Sequence, residues 1–264
     1  MKIPAGANSA TINVLPLWDP QTEDDTAVSV RLASGVYDIG TAGAQTILVK
    51  SGAAYGGWIY DVAAGMMYDN DWSFTVADLG VQKLKLSSLN TDTSKGPLPA
   101  ERTDLNFFKP VISTSGQLFT ITVIGDSCFS DKIDKGQILG DVIFPEELVE
   151  IGNSAFYGLS KWKSELVLPA SLRTLKQSAF GSCTSLTIDA AKIPSGIVTI
   201  DPLVFNSDIQ MTGDLNLPNL VTTDLRQTFT GTGLTSVRFG PNVTGLWGSP
   251  NQGPVQNCRS LTNV

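Results

Sequence analysis

Histidine does not occur once in this sequence. That removes the Ser-His-Asp triad, the Cys-His pair, the His-ligated zinc site and the commonest general base. An enzyme on this chain would have to work with carboxylates, lysine or tyrosine, so a non-enzymatic protein without a cofactor is expected. Charge is also scarce: 16% of the 264 residues are Asp, Glu, Lys or Arg, and the balance is acidic, −7 at neutral pH, with an isoelectric point near 4.6. Lys and Arg are nowhere clustered. A nucleic-acid groove needs a basic stripe to neutralise phosphates, and an anionic membrane surface needs one too. Neither partner is expected. No run approaches the roughly 18 apolar residues of a membrane helix, which argues against membrane insertion. Met1-Lys2 leads into Ile-Pro-Ala-Gly rather than into the apolar stretch of a signal peptide.

What is abundant is Gly, Ser, Thr and Asn, with Val, Ile, Leu and Phe spread along the whole chain. This is the profile of a β-rich, extracellular-type protein and not of a disordered one. The length points to two or three units. Self-similarity is plain in the second half. Val142-Ile-Phe-Pro145, Leu166-Val-Leu-Pro169, Ala191-Lys-Ile-Pro194, Leu215-Asn-Leu-Pro218 and Val237-Arg-Phe-Gly-Pro241 place prolines 24, 25, 24 and 23 residues apart. A second landmark runs in phase: Ile124-Gly-Asp-Ser-Cys-Phe129, Ile151-Gly-Asn-Ser-Ala-Phe156, Leu175-Lys-Gln-Ser-Ala-Phe180, Ile200-Asp-Pro-Leu-Val-Phe205 and then Phe229, at spacings of 27, 24, 25 and 24, with Val255 in the next place.

The alternating tripeptide reads as a short strand with two inward apolar residues, ended by a proline that has no N–H for a ladder. The Ile-Gly-x-x-Ala-Phe stretch reads as a turn or short helix that packs its Ile and Phe inward. One unit of about 25 residues buries no core alone, so successive units must stack. The expected fold is mainly β: a solenoid of short strands plus turns or short helices over 118–264, with Phe156, Phe180 and Phe205 lined up in a column.

These two elements resemble the BspA-like leucine-rich repeat family, over roughly residues 118–264. The pattern is fullest around Phe156 and Phe180. It weakens at Asp224-Leu-Arg-Gln-Thr-Phe229, where a polar residue takes the expected Ile position, and around Gly245 to Pro254. The resemblance implies cell-surface adhesion, binding of host proteins or glycans, and no catalytic residues. The sequence stops at Val264, just after a repeat's second landmark. Because a solenoid end needs a polar cap, a further stretch of chain or a covering partner is expected there.

Residues 1–50 read as strands, with candidates at 10–15, 27–32 and 45–49. Ile3-Pro-Ala-Gly-Ala-Asn-Ser-Ala-Thr-Ile12, Glu23-Asp-Asp25 and the strand to Leu32 are similar to the second half of a Calx-beta domain, which implies a partial β-sandwich over about 3–50. Some members hold calcium in acidic loops, which makes Asp19, Glu23, Asp24 and Asp25 candidate ligands. The plainer reading, and the favoured one, is a solvated turn that guards a sheet edge.

Residues 51–117 form a third segment, a small β-rich connecting domain or a cap on the solenoid, with a strand expected over Val81–Leu86. It holds Trp58, Tyr60, Tyr68, Trp72 and Phe74. These aromatics would serve as a sugar-stacking platform or, more in keeping with the area aromatics bury, as core. Asp69 and Asp71 beside Trp72 have the residue types of a glycosidase carboxylate pair, but two acids in a loop more commonly make a turn. Cys128, Cys183 and Cys258 lie too far apart in the stack for a disulfide or a shared metal, so three free thiols are expected.

A solenoid binds through the surface its strands present. With Phe144, Leu168, Ile193, Leu217 and Phe239 inward, one outward row is Ile143, Val167, Lys192, Asn216 and Arg238. A second is Asp141, Glu165, Ala190, Asp214 and Ser236. The surface runs from apolar and acidic to more polar and basic, and carries no aromatic ladder. It is the candidate site for a protein or glycan on another surface, protein contact fitting it better, though these side chains would serve equally to solvate the sheet. Trp162 and Trp247 lie in loops and would be exposed anchors or local packing. The leading reading is an extracellular or cell-surface binding and adhesion module. A virion fibre or capsid-decorating protein, and an ancillary region of a carbohydrate-active enzyme, remain as alternatives.

Overall fold

The computed structural model describes residues 26–31, 44–49, 57–69, 72–90, 105–107, 109, 111–130, 140–206, 210–221, 224–244 and 252–263. They fall into two units. In the first, β1 (Thr26–Arg31) pairs antiparallel with β2 (Ala44–Val49), Val28 opposite Ile47. These are two of the three strands expected there. The third, at 10–15, lies outside the described residues, as does most of the stretch 3–50 over which a partial Calx-beta-like β-sandwich is expected.

The second unit opens with a meander: β3 (Trp58–Asp61), β4 (Met66–Tyr68), β5 (Ser73–Asp78) and β6 (Lys83–Leu89), each antiparallel to the one before. The short β7 (Leu105–Asn106), β8 (Val111–Ser113) and β9 (Leu118–Ile124) follow. β8 runs parallel to β3 and antiparallel to β9, while β9 runs parallel to β6, so six strands close into a ring. Trp58, Tyr60, Met67, Phe74, Leu84 and Leu86 are buried there. Val81 and Gln82, expected at the head of β6, instead sit in a turn with φ of 47° and 63°. Without a partner strand Val81 stays exposed.

β9 also pairs on its other side with the first coil. β11 (Glu150–Ile151), β12 (Thr174–Leu175) and β14 (Thr199–Ile200) continue the sheet as parallel two-residue rungs, with Ile124, Ile151, Leu175 and Ile200 buried in file. The Ile of the second landmark is thus a strand residue, not the start of a helix. Among the described residues the coils contain no α-helix; the one helical turn is 3-10, at Ala190–Lys192. After each rung the chain turns sharply. The second residue before the column aromatic has positive φ in five coils: Ser127 48°, Ser154 50°, Ser178 55°, Leu203 63° and Gln227 51°. This turn aims the next N–H groups at the following coil. Phe129, Phe156, Phe180, Phe205 and Phe229 donate to Ala155, Ala179, Val204, Thr228 and Pro254 carbonyls at 2.8–3.1 Å.

The five phenylalanines form one column. Neighbouring ring centroids lie 4.7, 5.4, 5.8 and 5.9 Å apart, with interplanar angles of 13°, 5°, 2° and 22°. Each ring is fully buried. Burying such a side chain contributes roughly 1.5–3 kcal/mol, and an aromatic pair about 0.5–1.5 kcal/mol more. The column is therefore the main thread of the core.

The other side of the coils holds β10 (Val142–Ile143), β13 (Thr187–Asp189), β15 (Gln210–Leu217) and β16 (Gly233–Phe239). The prolines close these segments with a turn: the carbonyls of Pro145, Pro169 and Pro194 accept from Leu148, Leu172 and Ile197 three residues on, and each of those apolar side chains is fully buried. That pairing explains why the proline and the period travel together.

Candidate binding surface

On this strand side, every residue of the first expected row is exposed: Ile143, Val167, Lys192, Asn216 and Arg238. In the second row Asp141, Glu165 and Asp214 are exposed and Ser236 half-buried. Ala190 is the exception, 1% exposed. The cause is a register difference. The coil after Glu165 pairs through Thr187, not Ala190. β13 covers Thr187–Asp189, and the chain then makes a 3-10 turn before reaching Ile193 and Pro194. Asp189 Oδ1 caps that turn by accepting from Ala191 N at 3.1 Å, and the turn tucks Ala190 inward. Lys192 therefore stands on a turn rather than a strand.

From there its Nζ reaches Glu165 Oε1 of the preceding coil at 2.5 Å and Asp189 Oδ2 at 3.9 Å. The hydrogen bond to Glu165 raises the Lys192 pKa above its ordinary value. The other two acids of the second row, Asp141 and Asp214, are held by hydroxyls of the next coil. Asp141 Oδ1 accepts from Ser164 Oγ at 2.5 Å. Asp214 Oδ1 accepts from Thr235 Oγ1 at 2.5 Å and Ser236 Oγ at 2.8 Å, and those two bonds lower its pKa. β15 and β16 pair in parallel with Asp214 opposite Ser236 and Asn216 opposite Arg238, after a register shift at Gly213/Asp214. The apolar end of the surface is Ile143, 47% exposed, and Val167, 58%.

Of the other candidates, Trp162 is packing, not an anchor. It is buried against Phe156, and its indole N–H donates to the Gly140 carbonyl at 3.1 Å. Trp247 lies outside the described residues. Trp58, Tyr60, Trp72 and Phe74 are buried core and Tyr68 is half-buried, so no exposed aromatic platform exists among them. Asp69 is a turn acid: its Oδ1 accepts from Trp72 N at 2.7 Å and its Oδ2 lies 3.7 Å from Lys109 Nζ. Asp71 and the calcium candidates Asp19, Glu23, Asp24 and Asp25 lie outside the described residues. Among the described residues no three acidic or sulfur side chains converge as a metal site would require. The cysteines are free thiols, Cys128 and Cys183 buried and Cys258 half-buried. Burial pushes the Cys128 and Cys183 thiols up to about 12.

The sequence marks the positive-φ turn in only three of its five coils. Ser at 127, 154 and 178 was a signal for it, since short polar residues tolerate that backbone better than branched ones, but Leu203 and Gln227 carry none.

Stacked coils with a buried aromatic column, parallel rungs and a strand-built open face define a leucine-rich-repeat solenoid. The chain matches the BspA-type leucine-rich repeat region in 6 copies over residues 122–262, and it belongs to that family. Three solved structures are similar. A leucine-rich repeat protein from Bacteroides capillosus ATCC 29799 has 21% identity and a TM-score of 0.43, covering 56% of this chain and 96% of its own. A leucine rich cell surface protein from Faecalibacterium prausnitzii A2-165 has 16% identity and a TM-score of 0.45, with 75% of this chain and 53% of that one covered. The T. pallidum leucine rich repeat protein has 19% identity and a TM-score of 0.37, over 72% and 78%. No curated protein matches the chain.

Proposed function

We propose that this chain is a non-enzymatic binding module that holds a protein ligand on the strand side of its solenoid, at the surface of a cell or outside it. Membership of the BspA-type repeat family supports the general part: a binding or adhesion-type module rather than an enzyme. The specific part rests on one observation. Eight side chains from successive coils, Asp141, Ile143, Glu165, Val167, Lys192, Asp214, Asn216 and Arg238, are exposed on the strand side.

Their chemistry favours a protein over a sugar. Ile143 and Val167 offer an apolar patch, while Asp214 and the Lys192–Glu165 pair offer charges already oriented by neighbouring coils. Preformed charge beside an apolar patch is what protein interfaces use. In this reading residues 57–113 act as the cap of the stack, since β9 carries its sheet into the first rung and Phe74 meets Phe129 edge-on at 5.6 Å. The name of the Faecalibacterium structure, a cell surface protein, agrees with the proposed location.

The test is an array of extracellular proteins and glycans probed with the whole chain and with an Ile143→Asp/Val167→Asp/Arg238→Glu variant. A protein ligand lost at least ten-fold by the variant, with the thermal melt unchanged, supports the proposal. Protein ligands that are all retained at full affinity by the variant, or the absence of any protein ligand from the array, overturn it.

A further inference from the structure

The turn side of the same coils carries a feature that the strand-side reading leaves unused. Below the last rings of the phenylalanine column lies an open cleft of about 630 Å³, lined by Asn206, Thr230, Thr232, Asn257, Arg259 and Ser260, with the Gly231–Gly233 backbone as floor. The volume is in the range of small-ligand sites. The lining is unlike an apolar pocket: two amides, three hydroxyls and a guanidinium, contributed by three successive coils. The backbone holding these groups is fixed. Gly231 N donates to Gln256 O at 2.9 Å and Thr232 Oγ1 to Phe229 O at 2.9 Å. Asn257 is held at φ 58°, which turns the chain at the cleft.

Two observations point to a ligand. The Thr230 hydroxyl is buried with no hydrogen-bond partner, the one such side-chain oxygen among the described residues. A buried polar group left unpaired is costly, and Thr230 is part of the cleft lining. Arg259 is exposed and makes no ion pair among the described residues, on a chain with net charge −7. A fork of N–H donors suits a carboxylate bidentately, whereas the surrounding amides and hydroxyls suit a polyol. We infer that this turn-side cleft binds an acidic saccharide, its carboxylate on Arg259 and its hydroxyls on Asn206, Thr230, Asn257 and Ser260.

The same edge offers a platform for a longer chain of sugars. Tyr157 is 43% exposed, and its ring lies over Gly181, where a methyl group would meet it at 3.0 Å. Gly158 N bonds to Gly181 O and Ser182 N to Asn206 O, so the tyrosine stands two coils upstream of Asn206. At about 4.8 Å per coil that is on the order of 10 Å, the reach of a further sugar or two.

The experiment is an NMR titration of the whole chain with glucuronic acid, a glucuronate-containing tetrasaccharide, sialyllactose and neutral lactose at two salt concentrations. Shifts centred on the Asn206, Thr230–Gly233 and Asn257–Ser260 amides are expected with the acidic sugars, reaching Tyr157 only with the tetrasaccharide, weakened at high salt and at least ten-fold weaker with lactose. Arg259→Gln should cost at least ten-fold in affinity for the acids. Thr230→Val, which keeps the shape and removes the orphan hydroxyl, should cost several-fold without lowering the melt. Tyr157→Ala should weaken the tetrasaccharide and leave glucuronic acid unchanged. Equal binding of lactose, an unchanged Arg259→Gln variant, or no shift at the cleft with any acidic sugar would overturn the inference. Arg238→Glu, on the strand side, should leave the titration unaltered. Failure here therefore leaves the strand-side proposal standing, and the reverse holds too.

Discussion

The two sides of each coil are built to different tolerances. On the turn side, five coils repeat one arrangement: a positive-φ residue, then a buried aromatic two places on, whose N–H reaches the next coil. On the strand side the proline turn recurs, but the strands that lead into it do not. β10 has two residues and pairs back to β7. The next coil contributes one bridge, at Glu165. β13 has three residues followed by a 3-10 turn, β15 has eight, and β16 has seven. A column of stacked rings admits no slippage, because moving one ring by a residue opens a void and buries a polar group. Backbone pairing between parallel strands asks only for an N–H and a carbonyl at the right height, and those occur at every residue. Variation therefore collects on the strand side, which is also the side proposed to meet a partner.

The contrast breaks if equal truncations on the two sides cost the same. Phe180→Ala removes the middle ring of the column, between neighbours 5.4 and 5.8 Å away. A loss of about 3–5 kcal/mol is expected. Val167→Ala, on the exposed strand face, should stay within about 0.5 kcal/mol of the parent. Urea unfolding of both variants measures the difference. Comparable midpoints would mean that the column is not the thread of the core.

A second comparison sharpens the turn side itself. At Gly152, just after the β11 rung, a methyl group would come within 2.5 Å of Asp126 Oδ1 and 2.7 Å of Asp126 N. The obstacle is largely backbone, so Gly152→Ala should lose about 1–3 kcal/mol. The equivalent residue one coil earlier, Gly125, is crowded too, with Leu86 O 2.6 Å from an added methyl, whereas one and two coils later it is Lys176 and Asp201, so at this position glycine is required where β6, β9 and β11 draw the chains together. Lys176→Ala in the same assay should be close to neutral.

How far this could be read from the sequence follows the same division. The period, the inward Leu and Phe positions and the column itself were legible, because side-chain burial leaves a direct trace in residue type. Strand register was not. Counting back from Pro194 puts Ala190 on the outward row, yet the 3-10 turn that Asp189 caps absorbs the count. The fifth coil slips similarly. Asp224 occupies the expected Ile position, and Leu225, one residue later, fills the core, while Asp224 turns out to pair with Arg226 at 2.8 Å. Both slips are backbone adjustments of one to three residues, which leave the composition of a coil unchanged. The candidate surface was legible as exposed side chains, but the Lys192–Glu165 contact was not, since it joins residues 27 apart across two coils.

The positive-φ position gives a smaller effect with a definite sign. Ser178 holds φ 55°, a backbone that costs a non-glycine residue on the order of 1 kcal/mol and a β-branched one more. Ser178→Val should therefore destabilise by about 1–2 kcal/mol. Ser178→Gly should come out within about 0.5 kcal/mol of the parent, since relief of strain is offset by the greater freedom of glycine in the unfolded chain. The two melts should fall in that order. The reverse order would remove the shared turn from the description of the coils.

The smallest effect belongs to the strand side and reads charge, not stability. Hydrogen bonds from Thr235 and Ser236 hold the Asp214 pKa below its ordinary value. A carboxylate depressed in the folded state contributes its stabilisation above the unfolded pKa and loses it as pH falls through the folded one. Asp214 is fully exposed, so solvent screens the contribution, and no shift in the melt of Thr235→Val is expected. The carboxylate itself is the better probe. Its NMR titration should lie below that of an ordinary aspartate, and Thr235→Val should move it upward. An unmoved titration would mean that coil-to-coil hydroxyls do not orient the acids of this face, and the preformed charge invoked for partner binding would lose its structural basis.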